Sequence, residues 1–110
     1  MPPVSRFAEQ VFAAARRIPR GRVVSYGALG SVLSPPLSGR MVGRIIAHCP
    51  ADVPWWRVLA RTGRMPISKL NPAFADEQSA RLQAEGIEVV EGQVDMARHE
   101  LTEAELAKLA

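Results

Sequence analysis

The chain has 110 residues with 14 basic and 11 acidic side chains, so it fits one small domain with a modest core and a net charge of +3. The apolar residues after Met1 are interrupted by charges, which excludes a membrane-spanning segment and predicts a soluble, intracellular (cytoplasmic) protein. The single cysteine, Cys49, cannot form an internal disulfide, which fits a reducing compartment.

The charge is distributed unevenly along the chain. Residues 1–70 hold eleven basic against two acidic side chains, a balance of +9, whereas residues 71–110 hold three against nine, a balance of −6. Ten of the eleven bases are arginines, which favours a polyanionic partner because guanidinium groups match phosphate geometry. The alternative is an ordinary solvated basic face, and charge alone does not decide between them.

The first predicted element is an amphipathic helix. Apolar residues recur at intervals of three and four over residues 4–17, and Pro19 follows just past the end. Residues 22–25 then predict a short extended segment.

Two further helices are predicted from their caps and breakers. Ser25 is expected to cap a helix over 26–33, and the Ser34–Pro36 segment must end it because proline lacks the N–H donor. Ser38 is expected to cap a third helix over 39–47. Two short helices joined by a tight turn predict a helix-turn-helix.

The second half of the chain predicts shorter elements. They are a strand over 56–60, a turn over 61–64 leading into 65–67, a helix over 74–85, and a wing-like hairpin of 87–90 and 93–95. Thr102 followed by Glu105 is a capping-box pattern, which predicts a C-terminal helix over 101–109. The expected fold is mainly α with a few short strands (α+β), in one domain over 1–110 with a helical tail over 98–110.

Three motifs follow one another along the chain. Gly21–Gly27 reads Gly-Arg-Val-Val-Ser-Tyr-Gly, Arg40–Gly43 reads Arg-Met-Val-Gly, and Pro54–Val58 reads Pro-Trp-Trp-Arg-Val. As an ordered set they resemble the alkyltransferase-like proteins, relatives of the C-terminal domain of O6-alkylguanine-DNA alkyltransferases, over about residues 7–90. The resemblance implies the winged-helix-like helix-turn-helix domain of that family.

The third motif departs from the alkyltransferases at two positions. Their stretch reads Pro-Cys-His-Arg-Val, where the cysteine accepts the methyl group and the histidine activates it through water; here the positions are Trp55 and Trp56. An indole is one N–H donor and no useful nucleophile, so the resemblance implies a protein that is not an enzyme and has no catalytic residue. Cys49 as an unconventional acceptor is the catalytic alternative. Two histidines and one cysteine predict no metal site, and no cofactor is implied.

The resemblance also implies roles for four residues at the DNA. O6 of guanine lies in the base stack, so a protein pocket encloses it only after the nucleotide rotates out. Arg40 would fill the gap, Tyr26 would contact the phosphate and assist rotation, Gly43 would allow close approach, and Arg44 would touch a phosphate. The plain alternatives are a core tyrosine and a solvated arginine.

The implied lesion pocket has two parts. It consists of Pro54, Trp55, Arg57 and Val58 from the third motif and Ser68, Lys69 and Leu70 from the loop after it. Trp55 is expected to close on the altered base and Trp56 to be structural, the alternative being two core anchors. Leu70 stands where many members carry an arginine that recognises the altered O6 face, so we expect discrimination weakened by about 1–3 kcal/mol. The alternatives are that Arg64 or Lys69 makes this contact from the loop, or that Leu70 packs on the alkyl group.

The expected function is a DNA damage sensor that binds O6-alkylguanine by nucleotide flipping, without alkyl transfer. By resemblance its partners are double-stranded DNA containing that lesion and proteins of nucleotide excision repair, for which the acidic region after Asn71 is a candidate surface. We expect a monomer. The alternative is a winged-helix regulator that binds undamaged duplex sequence-specifically, usually as a dimer.

Overall fold

A computed structural model describes residues 3–65 and 72–110 of the chain. The elements are α1 (Pro3–Arg16), β1 (Val24–Ser25), α2 (Tyr26–Ser31), α3 (Gly39–Ile46), a 3-10 turn (Trp55–Arg57), β2 (Val58–Leu59), α4 (Pro72–Ala84), β3 (Val89–Val90), β4 (Gln93–Val94), α5 (Met96–His99) and α6 (Glu103–Ala107). The predicted class, mainly α with a few short strands, is confirmed. No helix within the described ranges is both long enough and apolar enough to cross a bilayer.

Side-chain caps fix the first turns of the two central helices. The Oγ of Ser25 accepts a hydrogen bond from the backbone N–H of Ala28 at 3.1 Å, and the Oγ of Ser38 accepts one from Met41 at 3.2 Å. Each bond satisfies a donor that the start of a helix leaves without an intrahelical partner. Both predicted caps, and the helix-turn-helix that they begin, are confirmed.

The connection between α2 and α3 depends on Gly30. The backbone N–H of Leu37 donates to the carbonyl of Gly30 at 3.0 Å, and a Cβ on Gly30 would lie 2.1 Å from the Leu37 oxygen. Only glycine permits that approach. The Gly30 carbonyl also accepts from Leu33, so α2 ends at Ser31 and not at the predicted Leu33.

A two-residue parallel ladder joins the halves of the molecule. β1 pairs with β2 in the register Val24 to Val58 and Ser25 to Leu59. Because successive strand residues point to opposite faces, the ladder divides the core in two. Val24 and Val58 pack into a cluster with α1, α2 and α3, whereas Leu59 packs into a second cluster with residues of α4 and the hairpin.

The strand predicted over 56–60 is shorter than expected. Residues 55–57 form the 3-10 turn instead, in which the N–H of Arg57 donates to the carbonyl of Pro54 at 3.1 Å. The predicted turn over 61–64 is confirmed, with Gly63 at φ +86°. Residues 66 and 67 lie outside the described part of the chain.

The helix predicted over 74–85 is observed as α4, two residues longer at its start and one shorter at its end. The predicted hairpin is also confirmed as β3 and β4. Glu91 and Gly92 both have positive φ, 51° and 74°, as a two-residue type I′ hairpin turn requires.

The C-terminal region holds one helix that the sequence did not predict. α5 begins after Asp95, whose Oδ1 accepts from the N–H of Ala97 at 3.1 Å. The predicted capping box of Thr102 and Glu105 is confirmed, with distances of 2.9 and 3.2 Å. The helix it begins is shorter than predicted, because the N–H of Leu101 pairs with the β1 side of the molecule, at the carbonyl of Val23.

Candidate nucleic-acid interface

Helix α3 has a buried face and an exposed face. Its apolar residues Val42, Ile45 and Ile46 are buried. Arg40, Gly43 and Arg44 lie on the opposite side, because residues three and four apart share one face of a helix. Arg40 and Arg44 are exposed, and neither makes a hydrogen bond or ion pair with any other described residue. Two guanidinium groups are therefore available for an external partner.

Tyr26 lies beside this exposed face. It is the first residue of α2, and its half-buried ring lies so that a Cβ on Gly43 would be 3.9 Å from Tyr26 Cδ1. Burial raises the pKa of Tyr26 to about 12, so its hydroxyl is a protonated donor at neutral pH. The ring also packs against the first core cluster, so Tyr26 combines a core contact with a position at the surface.

The first turns of α2 and α3 touch each other. A Cβ on Gly39 would lie 3.0 Å from the backbone nitrogen of Gly27 and 3.5 Å from the carbonyl carbon of Tyr26. The absence of a side chain at Gly39 thus lets the two helices start side by side. The structure brings the predicted DNA-contact residues Tyr26, Arg40, Gly43 and Arg44 onto one surface.

The 3-10 turn presents Trp55 between two other aromatic rings. The Trp55 ring is 6.1 Å from Trp56 at an interplanar angle of 87° and 6.1 Å from Phe74 at 72°, both edge-to-face arrangements. Trp55 is half-buried and packs against the first core cluster, whereas Phe74 is 42% exposed. Trp55 therefore contacts both the core and an exposed aromatic ring.

Trp56 is held by a buried ion pair, which confirms its predicted structural role. Its indole N–H donates to Glu85 at 2.7 Å, and Arg57 donates to the same carboxylate at 2.8 Å. Arg57 also donates to the carbonyl of Ile18 at 2.8 Å, and the Gly21 N–H donates to Glu85 at 2.9 Å. Three separate segments of the chain are joined at this one carboxylate.

The ionised state of Glu85 is favoured by these partners. Burial by itself raises the pKa of the carboxyl, but the hydrogen bonds from Arg57, Gly21 and Trp56 outweigh it and hold the pKa below its ordinary value. The side chains of Glu85 and Arg57 are only 4% and 14% exposed. Each charge depends on the other, since water does not replace a lost partner there.

Four residues of one face of α4 and its C-terminal end contact the turn. We call Phe74, Gln78, Arg81 and Glu85 the α4 stripe; their spacing of four, three and four places them in line. The Gln78 amide donates to the carbonyls of Trp56 at 3.1 Å and Val58 at 3.3 Å. The Arg81 guanidinium lies 4.6 Å from the Trp56 ring centroid. The stripe fixes both the backbone and the side chains of the turn.

The structure corrects part of the predicted lesion pocket. Val58 is fully buried in the core, so its side chain has no surface with which to line a pocket. The Arg57 guanidinium is bound to the Glu85 carboxylate and the Ile18 carbonyl, and Pro54 is buried. Both residues therefore support the turn and do not line a pocket. Trp55 alone of these four presents a partly open aromatic ring.

The remaining pocket residues, Ser68, Lys69 and Leu70, lie outside the described residues.

Sequence reasoning missed the α4 stripe, although its helical spacing was visible. It was missed because Gln78, Arg81 and Glu85 are polar residues that normally face solvent.

Among the described residues, Cys49 and the two histidines belong to no metal-binding group. Burial raises the pKa of the half-buried Cys49 thiol, and a protonated thiol is a poor nucleophile. Within residues 3–65 and 72–110, no three His, Cys, Asp or Glu side chains are close enough to hold a metal ion.

Comparisons with known proteins identify the family and the fold. Residues 6–87 match the sequence profile of the 6-O-methylguanine DNA methyltransferase, DNA binding domain. A DNA base-flipping protein of Vibrio parahaemolyticus is 33% identical over 90 residues, covering 80% of this chain and 87% of that protein. Alkyltransferase-like protein 1 of Schizosaccharomyces pombe is 33% identical over 89 residues, covering 78% and 81%.

Two solved structures share the fold. The S. pombe Atl1 crystal structure in complex with damaged DNA containing O6-carboxymethylguanine superimposes with a TM-score of 0.80 at 26% identity, covering 89% of this chain and 96% of that one. A second structure, S. pombe ATL in complex with DNA, gives a TM-score of 0.77 at 27% identity over the same shares. The chain therefore belongs to the family of the 6-O-methylguanine DNA methyltransferase DNA-binding domain.

Proposed function

We propose that this protein is a non-enzymatic sensor of DNA damage that binds O6-alkylguanine in duplex DNA, holds the base rotated out of the stack, and transfers no alkyl group. The observation that carries the proposal is the position of Trp55. By resemblance it stands at the acceptor position, and its indole is half-buried beside the exposed ring of Phe74. An indole ring can hold a planar base by stacking, but it offers no nucleophile.

The surface formed by α2 and α3 supports the DNA-binding part of the proposal. Arg40 and Arg44 are exposed and unpaired within the described ranges. Gly43 lies between them and has no side chain, so the α3 backbone can approach a partner closely there. In our proposal Arg40 enters the gap left by the base, Arg44 binds a phosphate, and the protonated Tyr26 hydroxyl donates to the phosphate near the rotated nucleotide. One relative is named for base flipping and another is solved with damaged DNA, which supports the DNA-binding and base-flipping parts of the proposal.

The surroundings of Trp56 support the absence of transfer chemistry. By resemblance this residue replaces the histidine that activates the acceptor, and its only N–H is already donated to Glu85 at 2.7 Å. It has no group with which to remove a proton from a nucleophile. In this proposal the protein marks a lesion and does not repair it.

We propose that the marked lesion passes to nucleotide excision repair, and that the protein acts as a monomeric single domain inside the cell, with the DNA. The acidic region after Asn71 is the proposed surface for a repair partner. A winged-helix regulator is less well supported, because a wing that contacts DNA needs basic residues. The hairpin region 88–95 instead carries Glu88, Glu91 and Asp95 and no Lys or Arg.

The test is a titration of two labelled duplexes that differ only by one O6-methylguanine, followed by intact-protein mass measurement. We expect tighter binding to the lesion duplex and an unchanged protein mass. Equal affinity for both duplexes contradicts the sensor. A mass increase by one methyl group contradicts the absence of transfer and points to Cys49 as the acceptor.

A further inference from the structure

Phe74 is an exposed aromatic residue at the edge of the proposed base site. It is 42% exposed, and among the described residues only Phe74 and Val90 are large apolar side chains with this much exposure. Val90 lies on the hairpin, whereas the Phe74 ring is 6.1 Å from that of Trp55. Exposed apolar surface next to a binding residue marks a contact with a ligand more often than a scattered surface residue does.

Among the described residues, Trp56 is the other ring next to Trp55, and it is held in place, so Phe74 is the exposed ring beside Trp55. Trp56 contacts Trp55 edge-on, and its indole is held by the buried carboxylate of Glu85. Gln78 holds the Trp56 carbonyl from the same side. Phe74 is the third residue of α4, one turn before Gln78, so its ring stands at the outer end of the α4 stripe.

The charges around this pair do not favour an anionic ligand. Arg57 is bound to Glu85 at 2.8 Å, and Arg81 is stacked on Trp56 and lies 3.6 Å from Glu77. Glu77, three residues after Phe74, lies on the neighbouring part of the α4 surface. The two arginines that contact the turn are therefore each paired with a carboxylate, so they leave no net positive charge beside it.

We infer that Phe74 is a specificity-determining residue: with Trp55 it forms an aromatic pair that receives the substituent on O6 and favours apolar alkyl and aralkyl groups over anionic ones. The inference rests on the proposed function. An aromatic substituent gains edge-to-face contacts with both rings, whereas a carboxylate loses water there beside arginines that are already paired with Glu85 and Glu77.

The test measures the binding of four duplexes that carry guanine, O6-methylguanine, O6-benzylguanine or O6-carboxymethylguanine at one position. The wild-type protein should bind the benzyl duplex more tightly than the carboxymethyl duplex. Phe74→Ala should weaken binding of the benzyl duplex by about 3- to 10-fold, the range for one aromatic contact, and change the other affinities by less than about 2-fold. Phe74→Tyr should retain the benzyl preference because it keeps the ring.

Val90→Ala is the matched control, since it removes the other exposed apolar side chain at a distance from the turn. It should leave all four affinities unchanged, and thermal unfolding should show that both alanine variants are folded. A benzyl preference that survives Phe74→Ala overturns the inference, as does an equal loss for all four duplexes. A wild-type protein that binds guanine and every lesion equally instead contradicts the proposed function, so the two failures are distinguishable.

Discussion

The arginines of the α2–α3 surface and those that bind the second half of the chain have the same chemistry and different partners. The side chains of Arg40 and Arg44 are exposed and make no hydrogen bond or ion pair with any other described residue. Arg57 is buried against Glu85, and Arg22 bonds to Glu105 at 2.8 Å and to the carbonyl of His99 at 3.0 Å. One group is available to phosphates, and the other joins segments of the protein.

This difference shows why the basic first half is not a uniform DNA-binding surface. Several of its arginines bind the acidic second half, which therefore does more than face away from DNA. A phosphate contact requires a guanidinium whose donors are not already used. The two groups of arginines carry the same charge, and they differ in burial and in whether a partner within the protein already uses their donors.

The largest effect should come from Glu85→Gln, which removes the negative charge beside Arg57. Breaking a buried pair on one side costs about 3–5 kcal/mol, because the remaining charge stays buried without its partner. Chemical denaturation should show this loss in the free energy of unfolding. Glu77→Gln is the control, since its exposed pair with Arg81 contributes only about 0–1 kcal/mol. A loss of less than about 1 kcal/mol in the free energy of unfolding for Glu85→Gln would show that buried Arg57 is no more important for folding than the exposed arginines.

Arg40→Ala should have the next largest effect, on binding and not on stability. We expect a loss of about 1–3 kcal/mol in affinity for the lesion duplex, because nothing then fills the gap left by the rotated base. The free energy of unfolding should stay within about 0.5 kcal/mol, as for an unpaired surface residue. The control is Arg16→Ala, which removes an exposed arginine paired with Asp52. Unchanged lesion preference in Arg40→Ala rules out the insertion role.

Acidification should reveal part of the Glu85 contribution without mutation. The folded-state pKa of Glu85 is held below its ordinary value of 4.5, so the stabilisation is complete above about pH 4.5 and is lost as the pH falls through the folded-state pKa. The free energy of unfolding should therefore fall in acid. Glu85→Gln should reduce this slope but not remove it, because the pKa values of Asp52 and Glu105 are also lowered. An identical slope in the variant would contradict the role of Glu85.

Gly43→Ala should give the smallest effect, with opposite signs for folding and binding. A Cβ there meets only the Tyr26 ring at 3.9 Å, an ordinary contact, so we expect the helix to gain about 0.5–1 kcal/mol of stability. Binding should weaken for lesion and plain duplexes alike, because the methyl group separates α3 from the DNA backbone.

The control for this variant is Ala80→Gly on the exposed side of α4. It should lower stability by a similar amount and leave DNA binding unchanged. Stronger binding by Gly43→Ala would show that α3 does not approach DNA closely.

The sequence was sufficient where structure is local. Ser25, Ser38 and Thr102 were predicted as caps and act as caps, because a cap depends on a donor only two or three residues away. The hairpin turn was likewise readable from Glu91-Gly92. α5 was missed because four residues are too few to show a helical period.

Contacts between distant residues were not readable in the same way. Glu85 binds Arg57 across 28 positions, and β1 pairs with β2 across 34 residues, from Val24 to Val58. Neither pairing has a local signal, so Arg57 and Val58 were assigned to the pocket through their motif when they support the turn instead. Phe74 was missed because an apolar residue at a helix start usually indicates core.

The α4 stripe also bears on how such a scaffold changes its activity. Three of its four members hold the backbone at Trp56 and Val58, the indole of Trp56 and the guanidinium of Arg57, and only Phe74 contacts Trp55. The shape of the turn is thus imposed from outside position 55. A substitution at position 55 therefore changes the side chain that meets a ligand, while the contacts that hold Trp56, Arg57 and Val58 stay in place.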